Sequence, residues 1–151
     1  MKIDNINKSI LHLLQKDARK TYKDIASELK RSETTIRDRI KAMEKVGIIQ
    51  GYTALINKTA LGLNFFAMIF GNPNSSAELD IVTERIKKVK NVLRVYQISG
   101  NKRIAIFMVA PSYKELKEII RSQLLPLGLK DEEIITVLEA DSEFISPLEI
   151  P

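Results

Sequence analysis

Two amphipathic stretches separated by only two residues constrain this chain more than any other feature. Tyr22, Ile25, Ala26 and Leu29 recur at helical spacing, and Ile36, Ile40 and Met43 do so again after Ser32. Only Lys30 and Arg31 stand between the two stretches. A connection that short forces a sharp corner, as in a helix-turn-helix. Thr21 with Asp24 three residues on predicts a capping box, Asp taking the usual role of Glu, and a helix starting at Thr21. Ser32 predicts the cap of the next helix. Gly47 predicts its end, because glycine enters the left-handed conformation cheaply. An earlier helix carries Ile6, Ile10, Leu13 and Leu14 inward, with Asp4 as its cap. After Gly47, residues 48–56 are β-branched, aromatic and aliphatic, which predicts a strand preceded by a tight, wing-like turn.

Beyond a linker at 57–62, strand and helix patterns alternate. Strands are expected at 65–70, 92–98, 104–109 and 134–138. A helix capped by Ser75 or Ser76 is expected to run to about Lys90, with Leu79, Val82, Ile86 and Val89 inward. A second, capped by Ser112, turns Leu116, Ile119, Ile120 and Leu124 inward and ends before Pro126. The order β-α-β-β-α-β is the ferredoxin-like plan. The expected class is therefore α+β, a winged helix-turn-helix over 1–50, a strand and linker over 51–62, and a ferredoxin-like domain over 63–151. The segment 63–70 is apolar on both faces and suits burial against a partner as well as under its own helices. The apolar-acidic tail 143–151 either packs on a partner or frays.

Charge separates the two halves. Residues 1–50 hold 12 Lys/Arg against 7 Asp/Glu, and residues 51–151 hold 12 of each. A basic module followed by a neutral one is the footprint of a nucleic-acid binder. Cysteine is absent and the only histidine is His12, so disulfides, thiol chemistry and thiolate zinc sites are excluded. No catalytic set, metal set or phosphate-binding glycine loop emerges, and Asp131-Glu132-Glu133 reads as a solvated loop. No cofactor is expected. No stretch is apolar for long enough to span a bilayer, and no leader is visible, so a cytoplasmic protein without membrane contact is expected.

On an ideal helix, Ile36, Ile40 and Met43 turned inward leave Thr34, Asp38, Lys41 and Lys45 outward, flanked by Thr35, Arg37 and Ala42. Lys30, Arg31, Arg37, Arg39, Lys41 and Lys45 supply cations around a small, polar helix start. Groove reading uses such a mix: Arg for guanine edges, Thr for thymine methyls or phosphates, and Lys for phosphates. The N–H groups near Ser32 can also hold a phosphate. Asp38 either accepts from a cytosine amino group or orients an adjacent Arg or Lys, and the second reading is the commoner. The partner expected is double-stranded DNA. A merely solvated amphipathic helix is the alternative for this segment, and a chromatin-like architectural role is the alternative for the protein.

These residues resemble the Lrp/AsnC, or feast/famine, family of bacterial and archaeal regulators. The likeness runs from Asp4 through Ile10-Leu11, Leu14-Gln15 and Asp17-Ala18-Arg19, then Ser32-Glu33-Thr34-Thr35-Ile36-Arg37 and Arg39-Ile40. It is most specific at Glu44-Lys45-x-Gly47-Ile48-Ile49-x-Gly51-Tyr52-Thr53-Ala54, followed by Asn57 and Leu61-Gly62. The resemblance implies a transcriptional regulator built as a homodimer, or a tetramer or octamer, that binds roughly palindromic DNA. It also implies a small-molecule effector near Ser99, Gly100, Asn101 and Arg103. The family's turn there usually reads Gly-x-x-Asp, whereas Gly100-Asn101-Lys102-Arg103 puts a cation at the acidic position. Lys30 and Arg31 likewise stand where family members often carry glycine and an aliphatic residue.

Overall fold

The computed structural model describes residues 3–138 and Ile150. The chain divides into two compact units, with the boundary between Leu55 and Ile56. The expectation for the tail 143–151 lies outside the described residues, apart from Ile150.

The first unit is built of α1 (Asn5–Lys16), α2 (Tyr22–Leu29) and α3 (Glu33–Lys45). Each begins at a side chain that satisfies an orphan backbone donor. Asp4 accepts from the Asn7 N–H at 2.9 Å, and Ser32 from the Thr35 N–H at 3.1 Å. Thr21 and Asp24 form the reciprocal capping box, so Thr21 caps α2 and the helix itself starts at Tyr22. Ile10, Ile25, Ala26, Ile36, Ile40 and Met43 form the core, edged by Ile6, Leu13, Leu14, Tyr22, Leu29 and Ile49.

α2 and α3 end in the same motif with different residues. The Arg31 N–H donates to the Ala26 carbonyl and the Lys30 N–H to the Ser27 carbonyl. After α3, Ile48 donates to Met43 and Gly47 to Glu44. Both pairs are Schellman closures, which need a left-handed residue at the first position past the helix. Gly47 takes it at φ 74°, and Lys30 takes it at φ 51°, ψ 52°. A side chain with a Cβ pays a steric penalty there that glycine avoids.

The strand and wing expected at 48–56 do not form. No strand occurs among the described residues of this unit, so the segment has nothing to ladder with. The backbone of Ile48 is committed to the helix stop, Ile49 packs on the helical core, and the rest is exposed and without regular structure.

The second unit has the expected order: β1 (Phe65–Pro73), α4 (Leu79–Ile86), β2 (Val92–Gln97), β3 (Ile104–Ala110), α5 (Tyr113–Ile119) and β4 (Leu129–Val137). The sheet is antiparallel in the order β2-β3-β1-β4. Both helices pack on one face, where Ala67, Ile69, Ile104, Ile106 and Met108 meet Val82, Ile86, Leu116, Ile120 and Leu124. The opposite face carries Phe66, Met68, Phe70, Tyr96, Phe107 and Ile135, which stand outside that core. Phe107 lies 5.7 Å from Tyr96 edge to face and 6.2 Å from Phe66, so the face is an aromatic ladder.

Three elements differ most from expectation. α4 starts at Leu79 after a 3₁₀ turn over Ser76–Glu78, without a capping side chain, and stops at Ile86 rather than Lys90. The chain then turns, with Asn91 left-handed at φ 66°, while Val89 still packs on the core. α5 widens into a π turn over Ile120–Leu124 and tightens into a 3₁₀ turn over Leu125–Leu127. Pro126 fits that first turn, where its missing N–H loses nothing. β4 begins at Leu129, so Asp131, Glu132 and Glu133 lie in an edge strand rather than a loop. Charge on an edge keeps it from recruiting another strand.

The unequal helix stops yield a test. Lys30→Gly should stabilise the first unit by about 1 kcal/mol, and Gly47→Ala should destabilise it by a similar amount. Chemical denaturation followed by helical circular dichroism measures both.

Candidate nucleic-acid interface

The outward face of α3 follows from its inward one. With Ile36, Ile40 and Met43 buried, Thr34, Asp38, Lys41 and Lys45 are exposed, and Lys30 and Arg31 are exposed at the corner before the helix. Ser32 and Thr35 sit at the helix start with their hydroxyls 2.7 Å apart, held by the cap itself. The solvent side of the helix therefore begins small and polar and ends basic, as the sequence suggested.

The arginines are engaged within the unit. Arg39 is expected to join the cations facing DNA. Instead its Nη1 donates to both carboxylate oxygens of Asp4, at 2.8 and 2.7 Å, and to the Asn7 side-chain oxygen at 3.0 Å. It clamps α3 to α1. Asn7 is buried, so this hydrogen bond satisfies an oxygen that water cannot reach. Arg37 donates to Glu33 at 2.8 Å, and its guanidinium lies 5.6 Å from the centre of the Tyr22 ring. It is half-exposed and pre-set in one orientation on the helix flank. Asp38 makes no ion pair or hydrogen bond among the described residues, so the expectation that it orients a neighbouring Arg or Lys is not met. Arg31 Nη1 donates to the Lys30 carbonyl at 3.3 Å. Lys30, Lys41 and Lys45 make no ion pair among the described residues.

Two residues that sequence reasoning left out set this geometry. Asn7 reads as an ordinary helical polar residue, and Glu33 as a first-turn acid. Only the folded chain brings Asn7 to Arg39, 32 positions away. Asp4 has a second role besides its cap. The Asn7 N–H, and then the Arg39 guanidinium, hold its carboxyl below the usual carboxylate range.

In the second unit, the turn carrying Ser99, Gly100, Asn101 and Arg103 is exposed and joins β2 to β3. Gly100 is left-handed at φ 112°. Asn72 of β1 fixes the turn from behind. Its side-chain oxygen accepts from the Arg103 N–H at 3.1 Å, and its amide donates to the Asn101 carbonyl at 3.2 Å. Lys102 donates to the Asp131 carbonyl. The Arg103 side chain is exposed with no partner among the described residues. Asn72 was legible only as a turn former. Among the described residues no cluster of His, Asp and Glu could hold a metal ion. No described helix is long and apolar enough to cross a membrane.

Comparison with known proteins matches both units. Residues 3–44 fit the AsnC-type helix-turn-helix domain, and residues 64–142 fit the Lrp/AsnC ligand binding domain. The chain is 38% identical to the HTH-type transcriptional regulator LrpA of Pyrococcus horikoshii over 122 residues, covering 81% of this chain and 86% of that protein. It is 29% identical to the HTH-type transcriptional regulator Ptr1 of Methanocaldococcus jannaschii, covering 83% and 84%. The fold matches that of AsnC from E. coli with a TM-score of 0.87 at 22% identity, covering 98% of this chain and all of that one. It also matches a Neisseria meningitidis transcriptional regulator solved in complex with L-Met, with a TM-score of 0.88 at 20% identity, covering 98% and 97%.

The clamp predicts an acid response. Asp4 titrates lower in the folded chain than in the unfolded one, so its contribution is fully present above the ordinary carboxylate pKa. That contribution is lost as pH falls through the depressed value. Asp24 behaves alike, held low by the Thr21 hydroxyl and backbone. Asp4→Asn keeps a capping oxygen but not the ion pair. Thermal melts between neutral pH and about pH 3 should show a shallower acid decline for Asp4→Asn than for the parent protein.

Proposed function

We propose, since this chain belongs to the Lrp/AsnC family of transcriptional regulators, that it reads double-stranded DNA by setting the start of α3 in the major groove. It is a regulator of the HTH type, not an enzyme, and carries that family's ligand binding domain. The observation supporting this docking is the division of labour on α3. The arginine on the α1 side is engaged internally, while Thr34, Asp38, Lys41 and Lys45 are left to meet something outside the unit.

Each outward residue takes a role suited to its chemistry. Ser32, Thr35 and the free N–H groups around them receive a phosphate. Thr34 contacts a thymine methyl or a phosphate, and Arg37 swings from Glu33 onto guanine O6 and N7. Asp38, without a partner among the described residues, accepts from a cytosine amino group. Lys30, Arg31, Lys41 and Lys45 neutralise flanking phosphates. Arg39 acts through α3's orientation rather than by touching DNA.

A single head offers too few contacts for tight regulation, so we read the protein as a homodimer or a larger even assembly on a palindromic site. The aromatic ladder opposite the helices, Phe66, Met68, Phe70, Tyr96 and Phe107, supports the sheet as the interface. Two-fold symmetry would then place half-sites about one helical turn apart, or a multiple of it. Effector binding falls to Ser99, Gly100, Asn101 and Arg103. An uncommitted guanidinium at the turn repels an ammonium group and attracts a carboxylate, so the effector is more anionic than a zwitterionic amino acid.

Selection of bound duplexes from a random pool tests the reading. A defined palindrome is expected, and a pool without consensus would instead favour an architectural binder. On the selected site, Arg37→Ala should cost about 1–3 kcal/mol at one base position. Lys41→Ala should weaken specific and random DNA alike. Calorimetric titration with amino acids and then with small dicarboxylates checks the turn. Tight binding of a neutral amino acid that Arg103→Ala abolishes would refute the charge argument.

A further inference from the structure

Arg37 is the arginine of α3 assigned to a base edge, yet in the folded unit its guanidinium is drawn inward. Its Nη2 donates to Glu33 Oε1 at 2.8 Å, one turn back on the same helix. The guanidinium also lies 5.6 Å from the centre of the Tyr22 ring, at the start of α2. Successive residues of a helix rotate by about 100°, which sets Glu33 between Arg37 and the buried stripe of Ile36 and Ile40. Tyr22 itself packs on that core. Both contacts therefore pull the guanidinium toward the inside of the unit, away from the outward line of Thr34, Asp38, Lys41 and Lys45.

We propose that Glu33 and Tyr22 form a parking place for Arg37, and that parking lowers affinity for the selected palindrome while leaving affinity for random DNA unchanged. The inference rests on the reading above, in which Arg37 meets guanine O6 and N7. To reach that edge the side chain leaves both partners. The apparent affinity is then the intrinsic one scaled by the fraction of molecules in which Arg37 has swung out. An acid four residues before its cation is the favoured order for a helical pair, and the ring adds a second hold. Both members of the ion pair are partly exposed, so each contact is modest, worth about two- to fivefold in that fraction.

Random DNA that offers no guanine at this position leaves Arg37 parked and bears no such cost. Glu33 and Tyr22 thus narrow the gap between the selected site and bulk DNA without touching a base. Arg39 is held by the same kind of contact but has no part in this balance, since its bonds to Asp4 and Asn7 lie on the other flank of α3.

The test uses the full-length protein with two duplexes of equal length, one carrying the selected palindrome and one of random sequence. Glu33→Ala removes the acceptor. It should strengthen binding to the palindrome by about threefold or more beyond any gain on random DNA. Tyr22→Leu keeps an apolar side chain on the core and removes the ring, and it should shift the ratio in the same direction. In an Arg37→Ala background, Glu33→Ala should change both duplexes alike, because the group it restrains is gone. An equal gain on both duplexes in the parent background overturns the proposal, since Glu33 then only repels phosphate. A loss confined to the palindrome also overturns it, since Glu33 then orients Arg37 for its base. An Arg37→Ala protein that keeps the parental ratio between the two duplexes would overturn the guanine contact instead.

Discussion

The Arg39 guanidinium, gripping Asp4 and Asn7 across 35 and 32 positions of chain, is the contact on which the reading unit depends. As an ion pair it is weak, since both side chains are partly exposed and water screens them. Its importance lies in Asn7. That residue is buried at the α1 end of the contact, and removing the guanidinium leaves an oxygen without a partner, at a cost of about 1–3 kcal/mol. A unit of this size buries too little apolar surface to absorb such a loss comfortably. The three helices meet through a small core, and a core of aliphatic side chains tolerates sliding. The clamp adds direction to that packing and fixes how α3 is turned about its own axis. Which residues of α3 face outward is thus decided partly by an arginine bound back onto α1.

The second unit solves a comparable problem with a single side-chain amide. Its turn between β2 and β3 is exposed, and an exposed turn with a left-handed glycine would ordinarily be mobile. Asn72 holds it from the neighbouring strand through both ends of its amide. Gly71 beside it lets Leu129 approach so closely that a Cβ would lie 2.6 Å from that side chain, at the place where the β1–β4 register shifts. The turn is therefore braced from β1, with Arg103 exposed on it.

Much of this was legible because the signals are local. Asp4, Thr21, Ser32 and Ser112 each cap the helix expected of them, since a cap is written within four residues. The ferredoxin-like order followed from alternating periods. The misreadings share a different character. Residues 48–56 have strand composition but no strand to pair with among the described residues of their unit, and β propensity describes fit to a sheet rather than a backbone preference. Leu129 to Glu133 has loop composition but lies on an edge, where charge is the usual covering. The Arg39 clamp and the Asn72 brace join residues about thirty positions apart, and no periodicity announces such pairs. Neither does sequence say which cation of α3 is engaged, although that distinction separates a reader of bases from a strut.

Lys30 shows where stability and function diverge. Two helices of the same unit close with the same hydrogen bonds, one through glycine and one through lysine. Sterics favour glycine at both, so the lysine is retained against a local preference. It stands at the corner before α3, exposed and without an ion pair among the described residues, beside Arg31 whose guanidinium folds back on its carbonyl. Strain of this kind persists where the surroundings hold it and something else is gained. At this corner the gain available is electrostatic. On the docking proposed above, a cation there adds to the field of Lys41 and Lys45, and each phosphate neutralised strengthens binding to any DNA sequence. The basic charge around α3 is thus placed selectively, with Arg39 bracing the helix and Lys30, Lys41 and Lys45 exposed without an ion pair among the described residues, Lys30 at a position that costs folding energy to occupy.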